Sequence, residues 1–160
     1  MFETARCSIK RFSRNDQSDV EALYVNEQVR QFLGGPRQVD LTKERDEMLA
    51  SPAHSNHWVV REKQTNDFIG LVTLDPHHNG VDLELSYQLL PEWWGNGYAT
   101  EVLKTIIHYA FNNLNLPKVM AETQIANKAS CALLEKVGMR FEQTINRFGA
   151  EQAIYSIRST

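Results

Sequence analysis

Two rhythms of apolar residues alternate along this chain, one of period two and one of period 3.6. The clearest strand signal is residues 82–89. Leu83, Leu85, Tyr87 and Leu89 share one face, and Asp82, Glu84, Ser86 and Gln88 the other. The clearest helix signal follows it. Ala99, Val102, Leu103, Ile106, Ile107, Ala110, Phe111 and Leu114 form one apolar stripe over about four turns. Leu116-Pro117 then drives the chain out of the helix.

Weaker signals fill the rest. A strand is expected near residues 5–11, then a helix capped by Asn15-Asp16 with Val20, Leu23 and Tyr24 on its apolar face. Phe32-Leu33-Gly34-Gly35-Pro36 ends a short helix, and a mostly polar helix is expected at 41–50, stopped by Ser51-Pro52. Strands at 57–61 and 68–74 flank turn residues 64–67, and a loop covers 75–80. A strand at 118–125 and a helix at 128–137, ended by Gly138, come next. Strands near 139–146 and 151–157 close the chain. The pattern is mixed α/β, a central sheet with helices packed on it.

Between the clearest strand and the clearest helix lies Pro91-Glu92-Trp93-Trp94-Gly95-Asn96-Gly97-Tyr98-Ala99-Thr100-Glu101. This order places bare backbone N–H groups at a helix N-terminus, where the macrodipole favours an anion. Gly95 and Gly97 have no side chain to hold a phosphate away from those amides. The segment therefore reads as a diphosphate site. It lacks the third glycine and the distant acidic residue of a dinucleotide fingerprint, and it lacks the Gly-Lys-Ser/Thr of a P-loop.

Composition narrows the classes. A chain of 160 residues fits one domain, here 1–160, and buries a sizeable core. Its formal net charge of -3, with both signs interleaved, argues against direct nucleic-acid or anionic-membrane binding. No apolar run has membrane-span length and the first residues do not read as a signal peptide, so a cytoplasmic protein is expected. Cys7 and Cys131 are unpatterned and are expected as free thiols. No metal is expected: the pairs His54/His57 and His77-His78 read as solvated loop residues without ligand spacing around them.

The segment Trp94-Gly95-Asn96-Gly97-Tyr98-Ala99 resembles the acyl-CoA pyrophosphate loop of the GCN5-related N-acetyltransferase (GNAT) superfamily, usually Gln/Arg-x-x-Gly-x-Gly/Ala. Trp94 stands where Gln or Arg is usual. That departure, continued by Thr100-Glu101, is similar to the RimJ/RimL-like ribosomal-protein acetyltransferase branch. A second block, Asn127-Lys128-Ala129-Ser130 through Leu134-Glu135-Lys136-Val137-Gly138-Met139, resembles the same branch. The resemblance implies an α/β (α+β) GNAT fold: a mostly antiparallel central sheet with one splayed parallel pair of strands and helices on both faces. It implies acetyl-CoA as co-substrate, held by Leu89, Trp94, Gly95, Asn96, Gly97, Tyr98, Ala99 and Thr100, with Asn127 and Ser130 on the pantetheine arm. Lys136 or Lys128 would meet the 3′-phosphate, or else each is a solvated lysine.

The implied reaction moves an acetyl group to a primary amine, a protein N-terminus or a small molecule, by direct attack in a ternary complex. A carboxylate must take the amine's proton. Glu84 and Glu122 are the candidates, with Glu84 slightly favoured; each reads equally as a paired structural carboxylate. The tyrosine that many members use as general acid is replaced by Leu134, and Ser130 matches the serine of the RimL-like proteins. Tyr87 reads as core, and Trp93 or Trp94 as acceptor wall or loop packing. The competing reading is an inactive acyl-CoA-binding module. Monomer and homodimer are both compatible with the charge pattern.

Overall fold

The computed structural model describes residues 1–37 and 56–160, and the expected helix at 41–50 and His54 lie outside them. Eight strands form one sheet in the order β1-β2-β3-β4-β5-β6-β8-β7. They are β1 (Phe2–Glu3), β2 (Cys7–Arg11), β3 (His57–Glu62), β4 (Phe68–Pro76), β5 (Leu83–Leu89), β6 (Lys118–Gln124), β7 (Arg140–Arg147) and β8 (Ala150–Arg158). The two-residue β1 carries too little pattern to be read from sequence. Three described helices accompany them: α1 (Gln17–Tyr24), α2 (Tyr98–Asn112) and α3 (Lys128–Lys136). None is long and apolar enough to cross a membrane.

Both faces of the sheet bury side chains, and the two sets differ. On one face Trp58, Val60, Val72, Leu74 and Leu85 pack with Val102, Leu103, Ile106 and Ala110 of α2 and Leu134 of α3. On the other, Val59, Phe68 and Leu71 pack with Val20 and Leu23 of α1. Full burial of each such side chain stabilises by about 2 kcal/mol, which is why two buried residues suffice to seat the short α1. Asp16 stands at the start of α1, but its carboxylate turns back to the Ser13 N–H at 2.9 Å and pairs with Arg61 at 2.9 Å. The expected cap is thus a tie between helix and sheet.

Every neighbouring pair of strands is antiparallel except β5 and β6. That parallel pairing is confined to Glu84 and Met120. Beyond this point the strands part, β5 leading to the Trp94–Thr100 loop and β6 to the Asn127 segment. β5 is pressed close to β4 on its other side: a Cβ at Gly70 would stand 2.2 Å from the Gln88 carbonyl oxygen. Only glycine tolerates that approach. Ile69 is the extra residue of a bulge in β4, since Val60 pairs with Gly70 and Arg61 with Phe68.

Candidate active site

The parting of β5 and β6 opens a cavity of about 690 Å³, within the usual range for a small-molecule site. Its floor is β5 and β6, one end is the loop before α2, and α3 forms a wall. Of the residues singled out from sequence, Glu84, Glu122, Ser130, Leu89, Trp94, Gly95, Gly97, Tyr98, Ala99, Thr100, Asn127 and Lys136 all line it. Asn96 does not; it is exposed, and its amide donates to the Trp94 carbonyl at 3.2 Å. Lys128 also lies outside the lining, which leaves Lys136 as the nearer lysine.

The loop is held from both sides. The Trp94 indole N–H donates to the Leu89 carbonyl at 2.8 Å, folding the loop back on the end of β5. So the backbone oxygen of Leu89, a residue expected to hold the cofactor, accepts a hydrogen bond from the protein itself. Gly95 and Gly97 have φ of 77° and 82°, the left-handed region that other residues enter only at a cost of about 1–2 kcal/mol. Gly97 is the N-cap of α2 with no capping side chain, so the first-turn N–H groups keep their capacity for an anion. Behind the loop, Glu101 accepts from the Thr4 hydroxyl and from the Arg6 N–H and guanidinium, each Arg6 bond 3.0 Å long. Burial opposes the charge on Glu101, but these bonds hold its carboxyl below the usual range. Arg6 also stacks on the Tyr98 ring at 3.9 Å. Thr4 and Arg6 were missed from sequence; nothing in a local pattern links them to a position 95 residues away.

The two candidate carboxylates have different surroundings. The Glu122 side chain is 5% exposed, accepts from His77 at 2.8 Å, and pairs with Arg147 at 3.1 Å. The Asn79 N–H donates to His77 Nδ1 at 3.2 Å, so Nε2 carries the proton that Glu122 receives. Glu84 has no ion-pair or hydrogen-bond partner for its carboxylate among the described residues. Burial pushes its pKa up; His77 and Arg147 oppose this, while Glu122 and Asp75 reinforce it.

The expectation of a solvated His77 is therefore corrected. It is 5% exposed, because the loop after β4 folds its ring across β5 onto Glu122. His78 stays half exposed. His57 is also not a loop residue: it opens β3 and bonds Asp75 at 2.6 Å. His77, His78 and Glu122 have ligand atoms within 4.8 Å of one another. The proton on His77 Nε2 and the Arg147 guanidinium on the other carboxylate oxygen fit a closed ionic cluster better than a cation site.

Two more residues of β5 matter. Tyr87, expected as core, packs against the α2 side yet brings its hydroxyl to Ser130 at 2.5 Å and lines the cavity. Gln88 pairs with Leu71, so it faces the α1 side with Glu84; its carbonyl Oε1 is buried with no donor among the described residues. The strand alternation carried a signal for both, since it separates Tyr87 from Glu84 and Gln88. Asn127 caps α3 by accepting from the Ser130 N–H at 3.1 Å, and its amide nitrogen has no partner among the described residues. Cys7 and Cys131 are free.

With that geometry in view, the chain matches the acetyltransferase (GNAT) domain family over residues 6–140. It belongs to that family of acetyltransferases. Protein YkkB of Bacillus subtilis (strain 168) is 33% identical over 104 residues, which cover 64% of this chain and 60% of YkkB. The spermidine N-acetyltransferase from Vibrio cholerae, solved with CoA and spermine, has a TM-score of 0.82 at 21% identity, covering 95% of each chain. The ribosomal-protein-S5-alanine acetyltransferase from Vibrio fischeri has a TM-score of 0.81 at 16% identity, covering 98% of this chain and 95% of its own. At those identities the likeness is one of fold. It agrees with the expected mixed, mostly antiparallel sheet with one splayed parallel pair.

Proposed function

We propose that residues 1–160 form one acetyl-CoA-dependent N-acetyltransferase of the RimJ/RimL-like branch, acting on a primary amine. The observation that carries this is the single continuous cavity from the Trp94–Thr100 loop to Glu84, laid along the parting of β5 and β6. Loop N–H groups and the α2 dipole would hold the diphosphate. Lys136 would meet the 3′-phosphate. The amide nitrogen of Asn127 and the open edges of the parted strands would pair with the pantetheine amides.

In this reading Glu84 is the base. It takes the proton as the amine nitrogen bonds to the thioester carbon, directly or through a water. Backbone N–H groups of β5, freed where β6 diverges, stabilise the oxyanion. Glu122 is spent on His77 and Arg147 and acts as a fixed charge beside Glu84. The acceptor enters from the α1 face, where Glu84 and Gln88 lie.

The acceptor class is a primary amine. One structural neighbour is a spermidine acetyltransferase and another acts on a ribosomal-protein alanine. An acceptor panel therefore starts with polyamines and alanine-initiated peptides. The first test is thermal unfolding at a hundredfold excess of acetyl-CoA over its Kd. Binding to the folded state alone adds about 2.7 kcal/mol, a rise of several degrees for a domain of this size. Amine-dependent release of CoA then follows. No thermal shift removes the acyl-CoA reading; a shift without turnover across the panel turns the chain into an acyl-CoA-binding module.

A further inference from the structure

The hydroxyls of Tyr87 and Ser130 lie 2.5 Å apart. Their bond ties β5 to the first turn of α3, and both residues line the cavity. Two hydroxyls bonded to each other keep one O–H between them for a third group. A phenol is the more acidic of the pair, so Tyr87 donates to Ser130 and the Ser130 O–H is the one left over. Donation by a polarised hydroxyl is strengthened in such a chain. The Ser130 backbone is fixed independently by the Asn127 cap. Position 134 offers no hydroxyl: Leu134 is 1% exposed and part of the core. Glu84 lies on the opposite face of β5, three residues or about 10 Å of strand away. The site is thus divided into a proton-accepting face and a hydroxyl-bearing face, with the strand gap between them.

Resting on the acetyl-transfer reading above, we propose that Tyr87 is a positioning residue that aims and polarises the Ser130 hydroxyl toward the sulfur of the departing CoA. On collapse of the tetrahedral adduct, the C–S bond breaks, its electron pair goes to sulfur, and the carbonyl re-forms from the oxyanion. The amine proton has already gone to Glu84. Ser130 donates a hydrogen bond to the sulfur and keeps its proton. Burial pushes the Tyr87 phenol up to about 12, with the Ser130 bond opposing. A thiol ionises near 8.5, so a phenol in this state does not surrender its proton to a thiolate. CoA therefore leaves as the anion and is protonated by solvent.

The test needs no amine acceptor. CoA is bound to the protein and its thiolate is followed by ultraviolet absorbance as pH is raised, in wild type, Tyr87→Phe, Ser130→Ala and the double variant. The expected result is a bound-thiol midpoint about one pH unit lower in wild type than in either single variant, with the double variant matching Ser130→Ala. In turnover, Tyr87→Phe lowers kcat about tenfold and leaves the KM for acetyl-CoA within twofold. Equal midpoints in wild type and Tyr87→Phe overturn the inference, as do shifts that simply add in the double variant. Should Tyr87→Phe not fold, Tyr87→Met fills the same apolar wall without a hydroxyl and replaces it. Failure of wild type to bind CoA overturns the acetyl-transfer reading itself; binding with equal midpoints overturns only the role of Tyr87.

Discussion

The two ends of the cavity are built in opposite ways. The loop end is one contiguous run, Trp94 to Thr100, and works through backbone: two glycines at positive φ and the first turn of α2. The Glu84 end is assembled from β4, β5, β6 and the β7–β8 hairpin, and works through side chains. Local backbone chemistry shapes the first end, although Thr4 and Arg6 brace it from behind through Glu101. The second depends on which carboxylate finds a partner. Glu122 finds His77 and Arg147, with the His78 ring 3.8 Å away, and Glu84 finds none among the described residues. Two glutamates of one cavity thereby have different surroundings, and the proposed function gives Glu122 the part of a fixed charge and Glu84 that of the base.

Four substitutions probe this division. The largest effect is expected for Glu84→Gln, with kcat falling about 100- to 1,000-fold at neutral pH while acetyl-CoA binding, read by calorimetry, is unchanged. Its wild-type counterpart is a pH profile. Burial raises the pKa of Glu84, so the acid limb of kcat lies above the ordinary glutamate value of about 4.3. The same shift sets the sign for stability. A carboxyl whose folded pKa is raised favours the fold fully below its unfolded pKa, and this is lost as pH rises through the folded pKa. Glu84→Gln should therefore melt higher than wild type at neutral pH. A lower melting temperature there, with activity retained, would break the assignment of Glu84.

Glu122→Gln should do the reverse. It leaves Arg147 without its counter-charge and His77 without a charged acceptor. Full burial of the abandoned partner would cost 3–5 kcal/mol, but Arg147 is a quarter exposed, so about 2 kcal/mol is expected in thermal unfolding. Turnover should survive, with the acid limb moved to lower pH because a charge that raises the Glu84 pKa is gone. If Glu122→Gln abolishes turnover while Glu84→Gln spares it, the roles are exchanged.

Gly97→Ala tests the loop end. At φ of 82° an alanine costs about 1 kcal/mol and places a methyl beside the anion site. The expected outcome is weaker acetyl-CoA binding, about tenfold by titration, with kcat at saturation unchanged. Trp94→Phe is the mildest. It removes the 2.8 Å bond to the Leu89 carbonyl, worth about 1 kcal/mol, from a half-exposed ring. The KM for acetyl-CoA should rise a few-fold; a large fall in kcat would show that the loop also shapes the reacting end.

How far the sequence reached follows the same division. The α2 stripe, the β5 alternation and the glycine loop are local, and each appears where expected within one or two residues. Ser130 and Asn127 were visible because they sit in a contiguous motif. The burial of His77 was not visible, because a His-His pair in a loop has no local sign that one ring will cross a strand to Glu122, 45 residues on. Arg6 and Thr4, which brace α2 from the far edge of the sheet, were silent for the same reason.

The sequence by itself determined the main elements, the hydrophobic faces of the strands and the glycine loop before α2, since these follow from dihedral preference and periodicity among near neighbours. It also determined that Glu84 and Tyr87 point to opposite faces of one strand. Only the tertiary structure decided which glutamate stays unpartnered among the described residues and which hydroxyl Tyr87 meets. Those outcomes depend on the register of β4, β5 and β6 and on where α3 docks, and pairings between side chains 25 to 45 residues apart leave no trace in any local window of the sequence.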